Sequence, residues 1–519
     1  MYRREVLSVS FIGGRRVAEQ LHRPGEAAAD QSPAAARQGD QEIQFSAEEL
    51  GQILASHKRW LETDGREGER AKLSNAWLPE VSLVGADLRR ALLSDANLLN
   101  ADLTGADLRG ADLRGATLAP VKGLQVQQLA GADLTDASLE PQVAKFEGLA
   151  HVAEISKHAR GVFLGVVGGC VYAWLALATT SDLALVVNAV STPLPIIQTE
   201  VPIAGFFLAA PVLLLGLYVY LHMYLQRLWR GLAKLPAIFP DAFSLDEKAY
   251  PWLLNSLVRL YVFRLTENRP PLWWLQVGIS IVFAWVLVPL TVFLFWLRYL
   301  PKHDWLGNVG LSLLVILAFW TGCSMYRITK TTLLGDQVQA RPLTRLPEFA
   351  VAAVVVVMTF AASSLAITAQ RPIEAFGFRL YADLQGVDLK ETVLSGISLT
   401  AANLRGAKLE RADLSATSFH GADLRNTDLR AANLSSAGIE GADFRRADLW
   451  SADLRGSDLR GSDFRGANLQ FTRFNGADLS GSDLTGTKRL LQRQLEEACG
   501  DSATRLPDGL TIKPCEQAQ

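Results

Sequence analysis

Cysteine is scarce in this chain, with four residues in 519. Cys170 and Cys323 fall inside long apolar stretches and read as small buried packers. That leaves Cys499 and Cys515, 16 residues apart near the C-terminus. Catalytic motifs are missing too: no phosphate-cradling GxxxxGK(S/T) loop, no GxSxG nucleophile elbow and no paired CxxC occurs. No catalytic residue, cofactor site or metal site is expected, and an enzyme is argued against. An excess of one charge is also absent. Lys and Arg number 51 against 53 Asp and Glu, so no broad polyelectrolyte surface suits the chain to nucleic acid. A secretory signal is not expected, because the apolar run from Val6 to Ile12 is short and broken by serines.

What the chain does have is a five-residue period. From Leu384 to Leu484, 21 consecutive positions in one register hold Leu, Phe or Ile, and from Leu73 to Leu118 ten positions do the same. An α-helix turns about 100° per residue, so every fifth residue walks around it and builds no face. A strand alternates with period two, so an odd period turns every second leucine outward. Each unit must instead be a short extended side plus a corner, stacked so that the leucines form one buried column. The other positions agree. A small or β-branched residue stands two before each leucine (Ala402, Ala407, Ala412, Thr417, Ala422), Asp or Asn usually one before, and Gly, Ser or Ala recurs two after, as at Gly456, Gly461 and Gly466. Small residues there suit corners of unusual backbone shape.

The stretch AANLRGAKLERADLSATSFHGADLRNTDL resembles the pentapeptide-repeat family, whose pattern is A(D/N)LXX. The resemblance covers 71–140 and 380–487. It implies a right-handed quadrilateral β-helix, a solenoid of about twenty residues per coil. Two copies are expected, separated by an α-helical transmembrane domain. At about 4.8 Å between coils, the second would be roughly 25 Å long. The first loses register after Leu118, at Ala119-Pro120-Val121-Lys122-Gly123, and resumes displaced by one residue at Leu134 and Leu139. Residues 119–130 read as a loop leaving the coil. Some members of the family mimic duplex DNA and bind topoisomerases, which needs a strongly acidic surface. Residues 380–487 hold 15 acidic and 12 basic residues and 71–140 hold nine and six, a net of −3 each, so DNA mimicry is not expected.

The intervening apolar residues suggest about five membrane helices, at 161–181, 203–225, 272–297, 308–326 and 348–368, each long enough to cross a bilayer. Lys and Arg are absent from the loop 182–202, number seven in 226–271, two in 298–307 and four in 327–347. By the positive-inside rule the N-terminus is then cytoplasmic and the second solenoid periplasmic, in a bacterial inner membrane; if 348–368 does not cross, that solenoid stays inside. Cys499 and Cys515 would form a disulfide outside the cytosol and remain two thiols within it. The expected domains are an unstructured 1–45, a capping helix and lead-in at 46–70, a first solenoid at 71–140, a membrane domain at 141–370, a second solenoid at 380–487 and a C-terminal cap at 488–519. Ser46 and Glu49 form a capping box for a helix over 47–62. Its Leu50, Ile53, Leu54 and Trp60 would cover the open end of the first solenoid.

Candidate sites are sparse. With twenty residues per coil, Arg405, Arg425, Arg445 and Arg465 stack into one column beside Asp383, Asn403, Asp423, Asp443, Asp463 and Asp483. The column is either an anion-binding strip or a set of mutually neutralising charges. Trp450 reads as a single outward aromatic able to anchor a partner. Gly161, Gly165 and Gly169 permit close helix packing, within the bundle or by self-association. His151, Glu154 and His158 share a helical face, but a juxtamembrane surface explains them without a metal. The spans hold no ionisable group in their interiors, with His222 and Glu348 at edges, which weakens a transporter reading. Residues 226–271 are expected to lie along the membrane surface against lipid headgroups, or to dock a protein. The sequence therefore points to a non-catalytic membrane-anchored scaffold or binding module, whose partners are an unidentified protein and membrane lipid. The alternative is a passive transporter or channel accessory for a neutral or lipid substrate.

Overall fold

A computed structural model describes residues 43–187, 192–193, 200–249, 252–262, 265, 271–334, 346–368, 374–375, 378–379 and 381–515. The N-terminal stretch expected to be unstructured lies, up to residue 42, outside the described residues.

Residues 72–139 and 383–505 fold by the same rule. Backbone bridges run in parallel between residues twenty apart, as Lys72 to Leu92 to Asp112, and Asp383 to Asn403 to Asp423 to Asp443 to Asp463 to Asp483. Each side of a coil is so short that it makes a single bridge rather than an extended strand. The leucine positions are sealed: Leu73 to Leu118 and Leu384 to Leu484 are buried throughout. Phe444 and Phe464 stack face to face inside the column, 4.8 Å apart and 5° from parallel, the spacing of successive coils. At some of the small inward positions a hydroxyl reaches a carbonyl one coil below, and at others, such as Ser457 to Leu454 O at 2.6 Å, a carbonyl three residues back. Thr417 donates to Leu394 O at 2.7 Å, Ser462 to Ile439 O at 2.7 Å and Thr472 to Leu449 O at 2.9 Å, so these three hydroxyls are buried with their donors satisfied. Corners fall two residues after each leucine, with positive φ at Gly456 (64°) and even at Asn75 (57°) and Arg90 (59°).

Both breaks in the repeat use one device. After Leu118 a short 3-10 turn, Val126–Leu129, inserts, and Gln128 donates through its side-chain amide to Leu103 O and Ala106 O, both at 2.8 Å. After Leu484, Gln494 does the same to Leu469 O and Thr472 O at 2.8 Å. Leu129 and Leu495 drop into the leucine column. Residues 119–130 thus stay on the coil rather than leaving it as a loop.

Helix α1, Ala47–Glu62, begins with the expected capping box: Ser46 N–H donates to Glu49 Oε2 at 2.8 Å, and Glu49 N–H to Ser46 Oγ at 3.2 Å. It lies over the first coil with Leu50 buried, while Ile43 and Gln44 pair in parallel with Ala76 and Trp77. The long helices follow: α2, Glu147–Thr179; the short α3, Asp182–Val187; and α4, Ile203–Leu232. Two short helices, α5 (Leu245–Lys248) and α6 (Val258–Tyr261), lead to α7, Trp273–Ile281. A π-helical turn at Val282–Val286 joins α7 to α8, Leu287–Tyr299. Then come α9, Trp305–Leu334, and α10, Leu346–Thr368. Helix α11, Gln492–Leu495, belongs to the tail.

Among the described residues, four stretches are long and apolar enough to cross a membrane: Val143–Thr179, Ile203–Leu232, Trp273–Lys302 and Trp305–Leu334. Helix α10 contributes a shorter apolar stretch, Ala353–Leu365, so the fifth expected span is the least supported. Its far end is nonetheless fixed in the bundle, where Ser363 Oγ accepts from Trp296 Nε1 and pairs with Ser312 Oγ, both at 3.0 Å.

The helices also close the β-helices. Leu134 N–H donates to Ile238 O and Asp136 N–H to Pro240 O at 3.0 Å, and Ala237 N–H donates to Ala132 O at 2.9 Å. Residues 235–240, expected along the membrane surface, thus supply the next rung of the first β-helix. The second begins against α3, where Asp182 Oδ2 accepts from Asp383 N–H at 2.9 Å and Val186 joins the leucine column. Asp182 is itself held by Arg298 at 2.6 Å.

The seal at α1 depends on one imidazole. His57 is fully buried, its Nδ1 accepting from Ala71 N–H at 3.1 Å and its Nε2 facing Arg89 O at 3.0 Å. Accepting at Nδ1 and donating at Nε2 requires the neutral ring. Burial pushes its pKa below 6.5, against opposing help from the Arg89 carbonyl and Asp87, while Arg70 and Arg89 push the same way as burial. A base with a depressed folded-state pKa loses stability as pH falls below its unfolded value. Protease cleavage within 47–62 is therefore expected to accelerate between pH 7.5 and 5 in the wild-type chain, and not in His57→Gln, which cannot titrate.

Candidate functional site

The outer surface of the second β-helix is built from Asp and Arg at fixed places in the repeat. At Asp423, Asp443 and Asp463 the carboxylate accepts from the backbone N–H two residues on and also turns to the Arg there. Arg445 bonds Asp443 at 2.6 Å and faces Asp463 of the next coil at 3.6 Å. Arg425 bonds Asp423 at 2.5 Å and faces Asp443 at 3.6 Å. Arg465 bonds Asp463 at 2.6 Å and faces Asp483 at 3.9 Å. The column is an alternating ladder, and hydrogen bonding by Asp443 raises the pKa of Arg445. Arg405 stands apart, because Asn403 occupies the carboxylate's place and accepts only its backbone N–H, at 3.3 Å. A strip of free cations is thus not what Arg425, Arg445 and Arg465 form. Such exposed pairs are worth about 0–1 kcal/mol each.

Trp450 is not a single outward aromatic. Phe471, one coil on, is about half exposed and meets it edge to face with centroids 6.3 Å apart. Phe471 also holds φ at 62°, a left-handed conformation that costs a bulky side chain of order 1 kcal/mol or more and that Arg90, Arg411 and Arg446 share at other corners. The five-residue period could not reveal this pair, because 450 and 471 occupy different places in the unit.

The three glycines of α2 divide. Gly161 and Gly165 face open space, whereas a Cβ at Gly169 would come within 3.0 Å of Leu214 on α4. The pattern as a whole therefore does not pack within the bundle. His151, Glu154 and His158 are exposed on α2, and among the described residues they form no metal-ligating group. His222, expected at a span edge, lies well inside α4 with its ring fully buried and Nε2 against Ala284 O at 3.0 Å. Ala284 belongs to the π-helical turn, where the ladder of helix hydrogen bonds is shifted.

The tail closes the last coil. Cys499 pairs in parallel with Asp478, Arg505 with Asp483, and Lys513-Pro514 with Cys499-Gly500. A disulfide joins Cys499 to Cys515, with Cα atoms 4.7 Å apart. The Cys515 sulfur also lies 3.1 Å from Asp478 Oδ1.

A family model described as pentapeptide repeats matches in eight copies, over residues 82–118, 381–415, 412–450 and 451–486. The chain carries pentapeptide repeats. Pentapeptide repeats imply a right-handed β-helix, in keeping with the twenty-residue bridges. Among solved structures, this pentapeptide-repeat chain is similar to a protein of the Arabidopsis thaliana thylakoid lumen, at 22% identity over 22% of this chain and 81% of that one, TM-score 0.15. It is also similar to one from the cyanobacterium Cyanothece, at 26% identity over 24% and 86%, TM-score 0.12, and to one from Nostoc, at 26% identity over 23% and 98%, TM-score 0.14. No curated protein matches.

The disulfide spans 16 residues, and a loop of that size is worth about 3 kcal/mol in the chain-entropy account. Cys515→Ser is expected to free the tail after Gly500 to protease while cleavage within 383–470 stays unchanged.

Proposed function

We propose that this chain is a non-catalytic scaffold, embedded in a membrane, that presents two rigid β-helical surfaces to protein partners on opposite faces. The observation that carries the reading is where the two β-helices attach to α4. The first is continued by residues 235–240, just past the C-terminal end of α4, and the second starts on α3, just before its N-terminal end. A helix of 30 residues is about 45 Å long, the depth of a bilayer with its headgroups. The same arrangement supports a bacterial inner membrane with the first β-helix in the cytoplasm and the second in the periplasm, an oxidising place that suits the Cys499–Cys515 disulfide.

The surface proposed for the partner is the corner bearing Trp450 and Phe471. Paired exposed aromatics supply large contact area at low entropic cost, and Phe471 is about half exposed, with no packing role inside the coil. Domain limits follow the attachments: 46–70 for the cap, 71–140 and 380–487 for the solenoids, 141–370 for the membrane domain and 488–519 for the tail. Self-association through the outward Gly161 and Gly165 fits the same design. The passive transporter reading keeps one observation of its own, the buried His222 beside the π-helical turn, and flux through reconstituted vesicles would favour it.

A reporter active only in the periplasm, fused after Gln519, is expected to be active, and its cytosol-only counterpart silent. The reverse result would put both β-helices on one side and overturn the two-faced scaffold.

A further inference from the structure

Helix α4 turns one face away from the bundle, and that face changes character along its length. Leu213, Leu217 and Tyr220 are exposed on it. Tyr224 follows partly buried, and Arg227 exposed. Residues at such alternating steps of four and three fall on one side of a helix. Tyr220 and Tyr224 pair through their hydroxyl groups at 3.1 Å, with ring centroids 5.1 Å apart. Arg230, one turn beyond Arg227, is exposed as well. We propose that this stripe binds one anionic phospholipid. Its acyl chains lie on Leu213 and Leu217, a glycerol ester meets the tyrosine pair, and the phosphate meets Arg227 and Arg230.

Charge is the first argument. Among the described residues Arg227 and Arg230 enter no ion pair and no hydrogen bond. Other arginines of the bundle are answered: Arg298 is held by Asp182 and Arg259 by Asp246. Helix α4 itself contains no Asp or Glu. A guanidinium fork matches phosphate oxygens in pairs. Hydrogen bonding is the second argument. Two phenol groups carry two protons, and the pair uses one of them on itself, so a donor is left over. Within a bilayer no water is at hand to take it, whereas an ester carbonyl of a lipid accepts.

Depth is the third argument, and it rests on the membrane reading above. Helix α4 has 30 residues and ends at Leu232, so it spans about 45 Å, the bilayer with its headgroups. Arg227 then lies about 7 Å in from that end, at the inner edge of the headgroup layer, with the tyrosine pair just beneath. From Leu213 to Arg227 the stripe runs about 21 Å, the thickness of one leaflet. Its order of apolar, phenolic and cationic groups repeats that of an anionic lipid from chain to phosphate. An arginine near the carbonyl end of a helix is also attracted by that end, an effect that loss of the phenol hydroxyls would not touch.

The full chain, purified in mild detergent, would be offered equal amounts of phosphatidylglycerol and phosphatidylcholine, and retained lipid read by native mass spectrometry. The wild-type chain is expected to favour phosphatidylglycerol by about tenfold, as one charge-assisted hydrogen bond would give. Arg227→Gln with Arg230→Gln is expected to abolish that preference. Tyr220→Phe with Tyr224→Phe is expected to lower retention of both lipids and keep the preference, because the ester is common to both. Lys157→Gln, which removes an exposed cation of α2, is expected to change neither. No preference in the wild type, an unchanged preference in the arginine variant or unchanged retention in the tyrosine variant overturns the proposal. Displacement of the lipid by glycerol phosphate, which has no acyl chains, overturns it too. Alkaline washing of native membranes tests embedding separately. If the chain washes off, the membrane reading and the lipid site fall together; if it stays embedded and shows no preference, the site alone falls.

Discussion

Each coil of a β-helix gives backbone hydrogen bonds to its neighbours on both sides, so the first and last coils are left with groups that water or another chain must meet. An unmet edge of this kind also invites pairing with other chains. Several elements outside the repeats answer this constraint. Helix α1 and Ile43-Gln44 close one end of the first β-helix, and residues 235–240 close the other. Helix α3 closes the start of the second, and the disulfide-bonded tail closes its end. The long apolar helices are thereby joined to the β-helices through backbone hydrogen bonds and buried side chains.

The repeat itself was legible because one physical demand, a single buried column at every fifth residue, recurs at every unit. No competing regular structure satisfies it. The capping box at Ser46 was equally plain, since it is local. The seals were not. Gln128 and Gln494 stand in polar stretches that break the period, and only three dimensions reveal that each replaces a missing backbone donor. Residues 235–240 resemble any Pro-interrupted segment, and their partners at 132–136 are a hundred residues away. Such long-range backbone pairing leaves no periodic trace.

The candidate surface divides the same way. Stacking arginines by counting twenty residues put them in the right column, but the charge of that column depends on side-chain rotamers that turn each arginine toward its own aspartate. Trp450 could be read as exposed from its place in the unit, whereas its neighbour Phe471 stands at a different place, a corner one residue further on, which counting by five does not pair with it. Ionisable groups in the bundle were misjudged for a simpler reason. Apolar residues continue past 225 as an amphipathic stretch, so the helix end was set too early and His222 seemed peripheral.

Closure by residues 235–240 has a consequence for biogenesis. Those residues follow both α2 and α4 in the chain, so the first β-helix, although made early, is left open at one edge until two membrane helices have been synthesised. Its final rung arrives only once α4 has been placed with its C-terminal end on the same side. If the apolar helices span a membrane as proposed, completion of the first β-helix would report on their insertion, since a chain inserted in the wrong sense would leave a raw β-edge.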